Sequence, residues 1–368
     1  MAPIIPPMWT HLYPALRPLL FCQNAETAHD LTLAWLRRTQ HTPLASVYRQ
    51  PLVDDPIEVA GVTFRNRVGL AAGLDKNAWC IDAWAAMGFG AVEVGTVTPL
   101  AQPGNPKPRM FRLVAAQALI NRLGFNNEGL QAFVQNVQTA RCWGAPITQR
   151  PAIGLNIGKN ASTALEHARN DYLLGLQGVY PFADYITVNV SSPNTPNLRQ
   201  LQHETALHEL LESLLEAREQ LAQRHGQGKP IFLKIAPDME PAQADALAHV
   251  MHQLGCNSDG QPNHTLGLIV SNTTVARDAV QGLPHADQAG GLSGAPLRQA
   301  SLGLLQRMRT ALGPTFALIG VGGVLGGPDA VAKAQAGAHL VQLYTGLIYR
   351  GPALVQEVAQ ALQNAPRP

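Results

Sequence analysis

The chain reads as an α/β protein, a closed (β/α)8 (TIM) barrel with an N-terminal two-helix extension. Three observations carry that expectation. Short runs rich in Val, Ile, Leu and aromatic residues recur at residues 68–72, 91–96, 152–157, 185–190, 231–235, 266–270, 316–321 and 339–343, each of strand length and composition. Amphipathic stretches such as 204–225 and 241–254 lie between them, the alternation that builds a parallel sheet. A polar or glycine-rich cluster follows every run, where barrels place their chemistry. A doubly wound open sheet is the alternative assembly of the same units.

Taken in order, residues 10–21 and 25–38 read as two short helices. Asn24 is placed to cap the second, with Glu26 in its first turn and Arg37 and Arg38 in its last, as the helix dipole favours. Leu12, Leu16, Leu19 and Leu20 on the first, and Ala28, Leu31, Leu33, Trp35 and Leu36 on the second, make the pair richly apolar. That suits an interfacial hairpin or a flap packed on the main domain. A proline-marked linker follows, then a small hairpin around Gly61. The expected division is residues 1–42 as the helical extension, 43–67 as linker and hairpin closing the barrel bottom, and 68–368 as the barrel. Residues 141–150 and 256–265 read as surface insertions.

Composition narrows the function. Hydrophobic residues make up 46% and charged residues 14% of the 368, against roughly 25% charged in ordinary soluble domains. Part of the surface is therefore expected to face lipid or a partner. The net charge is only +2, with no basic run interleaved with aromatics, so nucleic acid is not an expected partner. Cys22, Cys80, Cys142 and Cys256 form no C-x-x-C pair and no metal spacing, and read as reduced thiols. The N-terminus lacks the pattern of a secretory signal. No apolar stretch reaches the ~18–20 residues of a membrane span, so membrane contact is expected to be peripheral.

The strand ends carry Ala71-Ala72-Gly73-Leu74-Asp75-Lys76, Gly95-Thr96, Asn156, Asn189 with Ser192, Lys234, Ser271-Asn272-Thr273, Gly322-Gly323 and Tyr344-Thr345. Glycines at 294, 322 and 323 suit a phosphate cradle, since backbone N–H groups can approach an anion there; a tight turn is the structural alternative. Lys234, flanked by Leu233 and Ile235, is a buried cation in need of an anionic or electron-rich partner. Either Lys76 or Lys234 could instead serve a Schiff-base lyase. The asparagines 121, 126, 127, 156, 189, 194 and 272 offer uncharged donors and acceptors suited to a flat heterocycle such as a pyrimidine or flavin ring. No carboxylate pair, metal-ligand cluster or Ser/His/Asp set stands out, which points to redox chemistry carried by an organic cofactor, with no metal.

These motifs resemble those of the class 2, quinone-dependent dihydroorotate dehydrogenases, over nearly the whole chain. The resemblance rests on residues 71–76, 95–99, 102–109, 121–127, 189–195, 271–274, 290–294 and 320–323. It implies an FMN-containing barrel that oxidises dihydroorotate to orotate in pyrimidine synthesis. FMN would contact Ala72, Gly73, Lys76, Thr96, Asn156, Asn189, Lys234, Ser271, Gly294, Gly323, Tyr344 and Thr345. Substrate would meet Lys76, Asn121, Arg122, Leu123, Gly124, Phe125, Asn189, Asn194, Asn272 and Thr273. Ser192 would be the base, where soluble relatives carry cysteine, with Thr195 and Phe125 framing its proton path. The N-terminal helices would form a quinone tunnel reached by His29, Arg112 and Tyr344. The implied state is a monomer, bound peripherally at the cytoplasmic face of the inner membrane. Another FMN-dependent pyrimidine oxidoreductase is the nearest competing activity.

Overall fold

The computed structural model describes residues 12–367. Helices α1 (Leu12–Cys22) and α2 (Ala25–Thr39) open the chain; the expected start of the first, at Thr10, lies outside the described residues. Asn24 caps α2 as its position requires, its side-chain oxygen accepting the Glu26 N–H at 3.0 Å. Strands β1 (Ile57–Val59) and β2 (Val62–Phe64) form a hairpin. Its turn residues Ala60 and Gly61 both have positive φ, 50° and 74°, the geometry of the two-residue turns that match strand twist.

The barrel strands are β3 (Val68–Leu70), β4 (Ala91–Val97), β7 (Ala152–Ile157), β8 (Tyr185–Asn189), β9 (Ile231–Ile235), β10 (Leu266–Val270), β12 (Leu318–Val321) and β13 (Leu340–Leu343). They close in the order β3-β4-β7-β8-β9-β10-β12-β13. Every pair is parallel, and β13 returns to β3, so the open sheet is ruled out. The first strand ends at Leu70 rather than residue 72, because the chain turns toward Gly73, whose φ is +101°.

A further sheet was not anticipated: β5 (Met110–Leu113), β6 (Ala118–Asn121) and β11 (Gly291–Gly294), antiparallel in the order β11-β6-β5. Each has four residues, too few for an alternation to register, and the third reads as a glycine loop. This sheet carries residues 119–125 over the barrel mouth.

Inside the barrel the two ends differ. At the bottom, Phe64 from the hairpin packs on Tyr185, which packs on Phe232, with ring centroids 6.0 and 5.4 Å apart. Above them the axis is polar: Glu93, Asn156, Thr187, Lys234 and Gln342 are all buried. Charge inside a barrel needs a partner or a ligand, and this layer lies directly beneath the strand ends.

The N-terminal helices lie against the barrel mouth. Helix α2 is fastened by Glu26, which accepts both Nε and Nη2 of Arg109 at 3.0 and 2.8 Å. Arg109 in turn donates to the carbonyls of Pro103 and Asn105 at 2.7 and 2.8 Å. Leu16, Leu19, Leu31 and Trp35 face solvent. No helix among the described residues is long and apolar enough to cross a membrane.

Burial pushes the Glu26 carboxyl up, but the Arg109 and Lys107 hydrogen bonds outweigh it and hold the group below its ordinary value. The stabilisation from a lowered carboxylate is present above the unfolded value and is lost as pH falls through the folded one. Replacing Arg109 with Leu leaves a buried carboxylate short of its main partner. Chemical denaturation at neutral pH is expected to show a loss of about 3–5 kcal/mol, and the gap between variant and wild type should narrow as the pH drops below the carboxylate range.

Candidate active site

Two cavities meet behind the strand ends. The first is lined by residues from the barrel strands' C-terminal ends and from β6 and β11. It brings together Ala72, Gly73, Lys76, Thr96, Asn121, Leu123, Gly124, Phe125, Asn189, Ser192, Asn194, Lys234, Ser271, Asn272, Thr273, Gly294, Gly323, Tyr344 and Thr345.

Its middle is a network of amides and hydroxyls. Asn272 Nδ2 donates to Ser191 Oγ at 2.9 Å and to Asn189 Oδ1 at 3.3 Å. Asn189 Nδ2 donates to Thr96 Oγ1 at 3.0 Å, and that hydroxyl donates to Asn156 Oδ1 at 2.6 Å. The loop after β8 is pinned by Arg199, which donates to the Ser191 and Thr273 carbonyls, each at 3.0 Å, and to Asp238 at 2.8 Å. Ser192 Oγ accepts the Asn194 N–H at 3.2 Å, and Thr195 Oγ1 is buried with no partner among the described residues.

Both lysines of the cavity are buried and have no hydrogen-bonded partner among the described residues. Burial is the main cause that lowers the Lys76 ammonium, to about 8, with Arg109 adding to it and Glu26, Asp30 and Asp75 opposing. Burial likewise lowers Lys234, opposed by Glu93. At the glycine end, the backbone N–H groups of Gly322 and Gly323 have no acceptor among the described residues. A Cβ on Gly323 would sit 2.4 Å from Cα of Arg298.

The second cavity is apolar and lies between α1, α2 and the helix Thr345–Arg350. Its few polar groups include His29, Arg112 and Tyr13. Burial is the main cause that drops His29 to about 3, with the Lys76 charge adding to it, so its imidazole is neutral. Arg112 donates to the carbonyls of Leu20, Phe21 and Gln23 at 3.3, 3.3 and 2.7 Å, tying the end of α1 to β5. The cavities share a wall: Gly73 lines the first and Leu74 the second, and likewise Gly346 and Leu347.

Residues 56–365 match the family described as Dihydroorotate dehydrogenase. The chain belongs to that family. A dihydroorotate dehydrogenase (quinone) from Paracidovorax citrulli is 56% identical over 362 residues, covering 97% of this chain and 98% of that one. Its counterpart in Acidovorax sp. strain JS42 is 58% identical over 353 residues, covering 96% and 98%. Among solved structures, DHODH from Eimeria tenella in complex with ferulenol superposes with a TM-score of 0.82 at 35% identity, covering 92% of this chain and 90% of that one.

Some residues that the family resemblance points to stand elsewhere than in the lining. Asn156 lies behind Thr96, and its NH2 group donates to Glu93 at 2.8 Å. The Arg122 guanidinium turns outward to Gln288, Ala289 and Pro108. Tyr344 lines the first cavity and not the second. Glu93, Ser191, Arg199 and Gln342 escaped sequence reasoning. Glu93 carried a readable signal, a charge between Val92 and Val94, the same mark that singles out Lys234. Arg199 carried none, since its role depends on three loops meeting.

Gly323 has φ +75°, so Gly323→Ala meets both a clash and backbone strain. Denaturation should show a loss of more than about 1 kcal/mol, while Gly226→Ala, which has a positive φ but open space, should lose only the strain contribution.

Proposed function

We propose that this chain oxidises dihydroorotate to orotate in the first cavity, with FMN as hydride acceptor, and that electrons leave to a quinone in the second. The reaction belongs to de novo pyrimidine synthesis. The observation that carries the reading is the shared wall: a polar cavity suited to a charged heterocycle and an apolar cavity suited to a lipid-soluble acceptor are lined by consecutive residues of the same two segments.

The residues fit FMN. Unpartnered N–H groups at Gly322 and Gly323 suit its phosphate, with Gly294 and Thr345 alongside. Lys234, Thr96, Asn189, Ser271, Ala72, Gly73 and Tyr344 suit its ring system, and Asn156 supports that set from behind Thr96. Bound there, FMN supplies the hydride acceptor.

The protein's own residues then do the rest. Dihydroorotate loses a proton from C5 and a hydride from C6. Lys76 holds the substrate carboxylate, while Asn121, Asn194 and Asn272 engage the ring amides and carbonyls, with Asn189 between ring and cofactor. Leu123, Gly124, Phe125 and Thr273 close over it, and Arg122 supports that segment from outside. Such positioning supplies much of the rate. Ser192 Oγ takes the C5 proton. A serine hydroxyl is a weak base, so the proton must pass on, and Thr195, whose buried hydroxyl has no partner among the described residues, would receive it, with Phe125 framing the path. Neutral His29 and the Arg112 guanidinium are the polar groups available to a quinone in the apolar cavity, and Tyr344 stands at the shared wall. Exposed Leu16, Leu19, Leu31 and Trp35 would carry peripheral contact with the cytoplasmic face of the inner membrane, reached by a monomer.

Two measurements test the roles. Ser192→Ala should retain FMN yet slow anaerobic flavin bleaching by dihydroorotate roughly 10²- to 10⁴-fold; bleaching at the wild-type rate would remove Ser192 from the mechanism. As pH rises through about 8, Lys76 loses its proton and the substrate carboxylate loses its counter-charge. The kcat/KM for dihydroorotate should therefore carry a falling alkaline limb near that pH, and Lys76→Met should lack it.

A further inference from the structure

Behind the Gly322-Gly323 turn stands a cation that is not part of the cavity lining. Lys333 lies on the helix Gly327–Gln335 that follows β12, and its side chain is buried. Its stem packs against β12, where a Cβ on Gly320 would meet its Cδ at 3.1 Å. Its Nζ donates to Ser301 Oγ at 2.8 Å, its one hydrogen bond among the described residues. An ammonium donates and does not accept, so the Ser301 hydroxyl turns its own proton away, toward the Gly322 and Arg298 carbonyls at 3.2 and 3.1 Å. The Gly323 carbonyl is held from the same side by Arg298 Nε at 3.2 Å. Both peptides of the turn are trans, and a trans peptide carries its C=O and N–H on opposite edges. The N–H groups of Gly323 and Val324 therefore point away from Ser301 and Arg298. Both residues line the cavity, and neither N–H has an acceptor among the described residues.

A buried ammonium calls for an anion, and the nearest acid in sequence is committed elsewhere. Asp329, one turn earlier on the same helix, is engaged by Arg298 at 3.0 and 3.2 Å and by the Leu325 N–H at 2.8 Å. Burial is the main cause that lowers the Lys333 ammonium, to about 8, with Asp329 opposing and Arg298 adding. We propose that Lys333 is the charge partner of the cofactor's phosphate: a cation held behind the Gly322-Gly323 turn, acting across Ser301 and the turn's peptides, that makes the cavity select a phosphorylated flavin over an uncharged one. Backbone N–H groups bring only partial charges to an anion, whereas a phosphate ester carries a charge of about −2. Lys333 supplies a formal charge on the far side of the same peptides. It does not touch the cofactor, so it is a positioning residue. The inference rests on the flavin reading above.

The test is a competition. The holoprotein is equilibrated with an excess of FMN and riboflavin in equal amounts, and the bound flavin is released and separated. Riboflavin shares the ring and the ribityl chain and lacks the phosphate, so a general loosening of the fold weakens both ligands and leaves their ratio unchanged. Lys333→Met keeps the length of the side chain and removes the charge. It is expected to lower the FMN-to-riboflavin ratio roughly 10- to 100-fold. A ratio that stays at its wild-type value overturns the proposal, even where both flavins are held more weakly, because that is the mark of a purely structural lysine. Should Lys333→Met not fold, Asp329→Asn decides: it removes the negative charge that opposes burial at Lys333, and the ratio should rise; an unchanged or lower ratio overturns the proposal. A wild-type protein that holds riboflavin as well as FMN would overturn the placing of a phosphate at this turn, and Lys333 with it. A wild type that prefers FMN, with the preference intact in Lys333→Met, overturns Lys333 alone.

Discussion

A closed eight-strand barrel must fill its own axis, and barrels usually do so with layers of branched apolar side chains. Here only the lower part of the axis follows that rule, with Phe64, Tyr185 and Phe232 stacked beneath it. The upper part holds a carboxylate, an ammonium and several amides out of water. Burying such groups is tolerable only when each finds a partner, and that requirement organises what lies above. Asn156 is held by Glu93, Thr96 by Asn156, Asn189 by Thr96, and Asn272 by Asn189 and Ser191. The loop carrying Ser192 is thus built on a network rooted in the barrel core. Where partners among the described residues run out, at Lys76, Lys234, Thr195 and the Gly322-Gly323 turn, the cavity supplies the space for a ligand to provide them.

The same strand ends face two ways. Segments 72–74 and 344–348 pass from a polar cavity, lined by Ala72, Gly73 and Tyr344 to Gly346, to an apolar one, lined by Leu74, Leu347 and Ile348. Lys76 is close enough to His29 for its charge to help keep that imidazole neutral. The Glu26–Arg109 pair joins the two sides mechanically: it anchors α2 to the segment that carries Asn105, whose amide donates to the carbonyls of Arg122 and Asn194 at 2.9 and 3.3 Å. The helical extension is therefore seated on the segments that shape the polar cavity.

Much of this was legible in the sequence. The eight barrel strands, the hairpin and both N-terminal helices follow from apolar runs, turn glycines and the Asn24 cap, because those signals are local. The helix over 204–225 coincides with Glu204–His225, ended by Gly226 at φ +71°. The strand-end residues were legible too, since barrel topology sends them to one mouth. The small sheet of β5, β6 and β11 was not, because its pairing joins segments some 170 residues apart and its third strand has two glycines in four positions. Side-chain direction was equally hidden. Nothing in the motif around Arg122 shows that its guanidinium reaches Gln288, and nothing around Asn156 shows that Thr96 stands between it and the cavity.

In the proposed function one bound flavin serves two cavities in turn. The most direct measurement is anaerobic double mixing of the FMN-loaded protein, first with dihydroorotate and then with a short-chain quinone, following flavin absorbance in wild type and in Arg112→Leu. Dihydroorotate should bleach both proteins at similar rates, and quinone should restore colour rapidly in wild type and slowly in the variant. Bleaching impaired as severely as recolouring, or recolouring unaffected by the substitution, would contradict separate sites joined by a common wall.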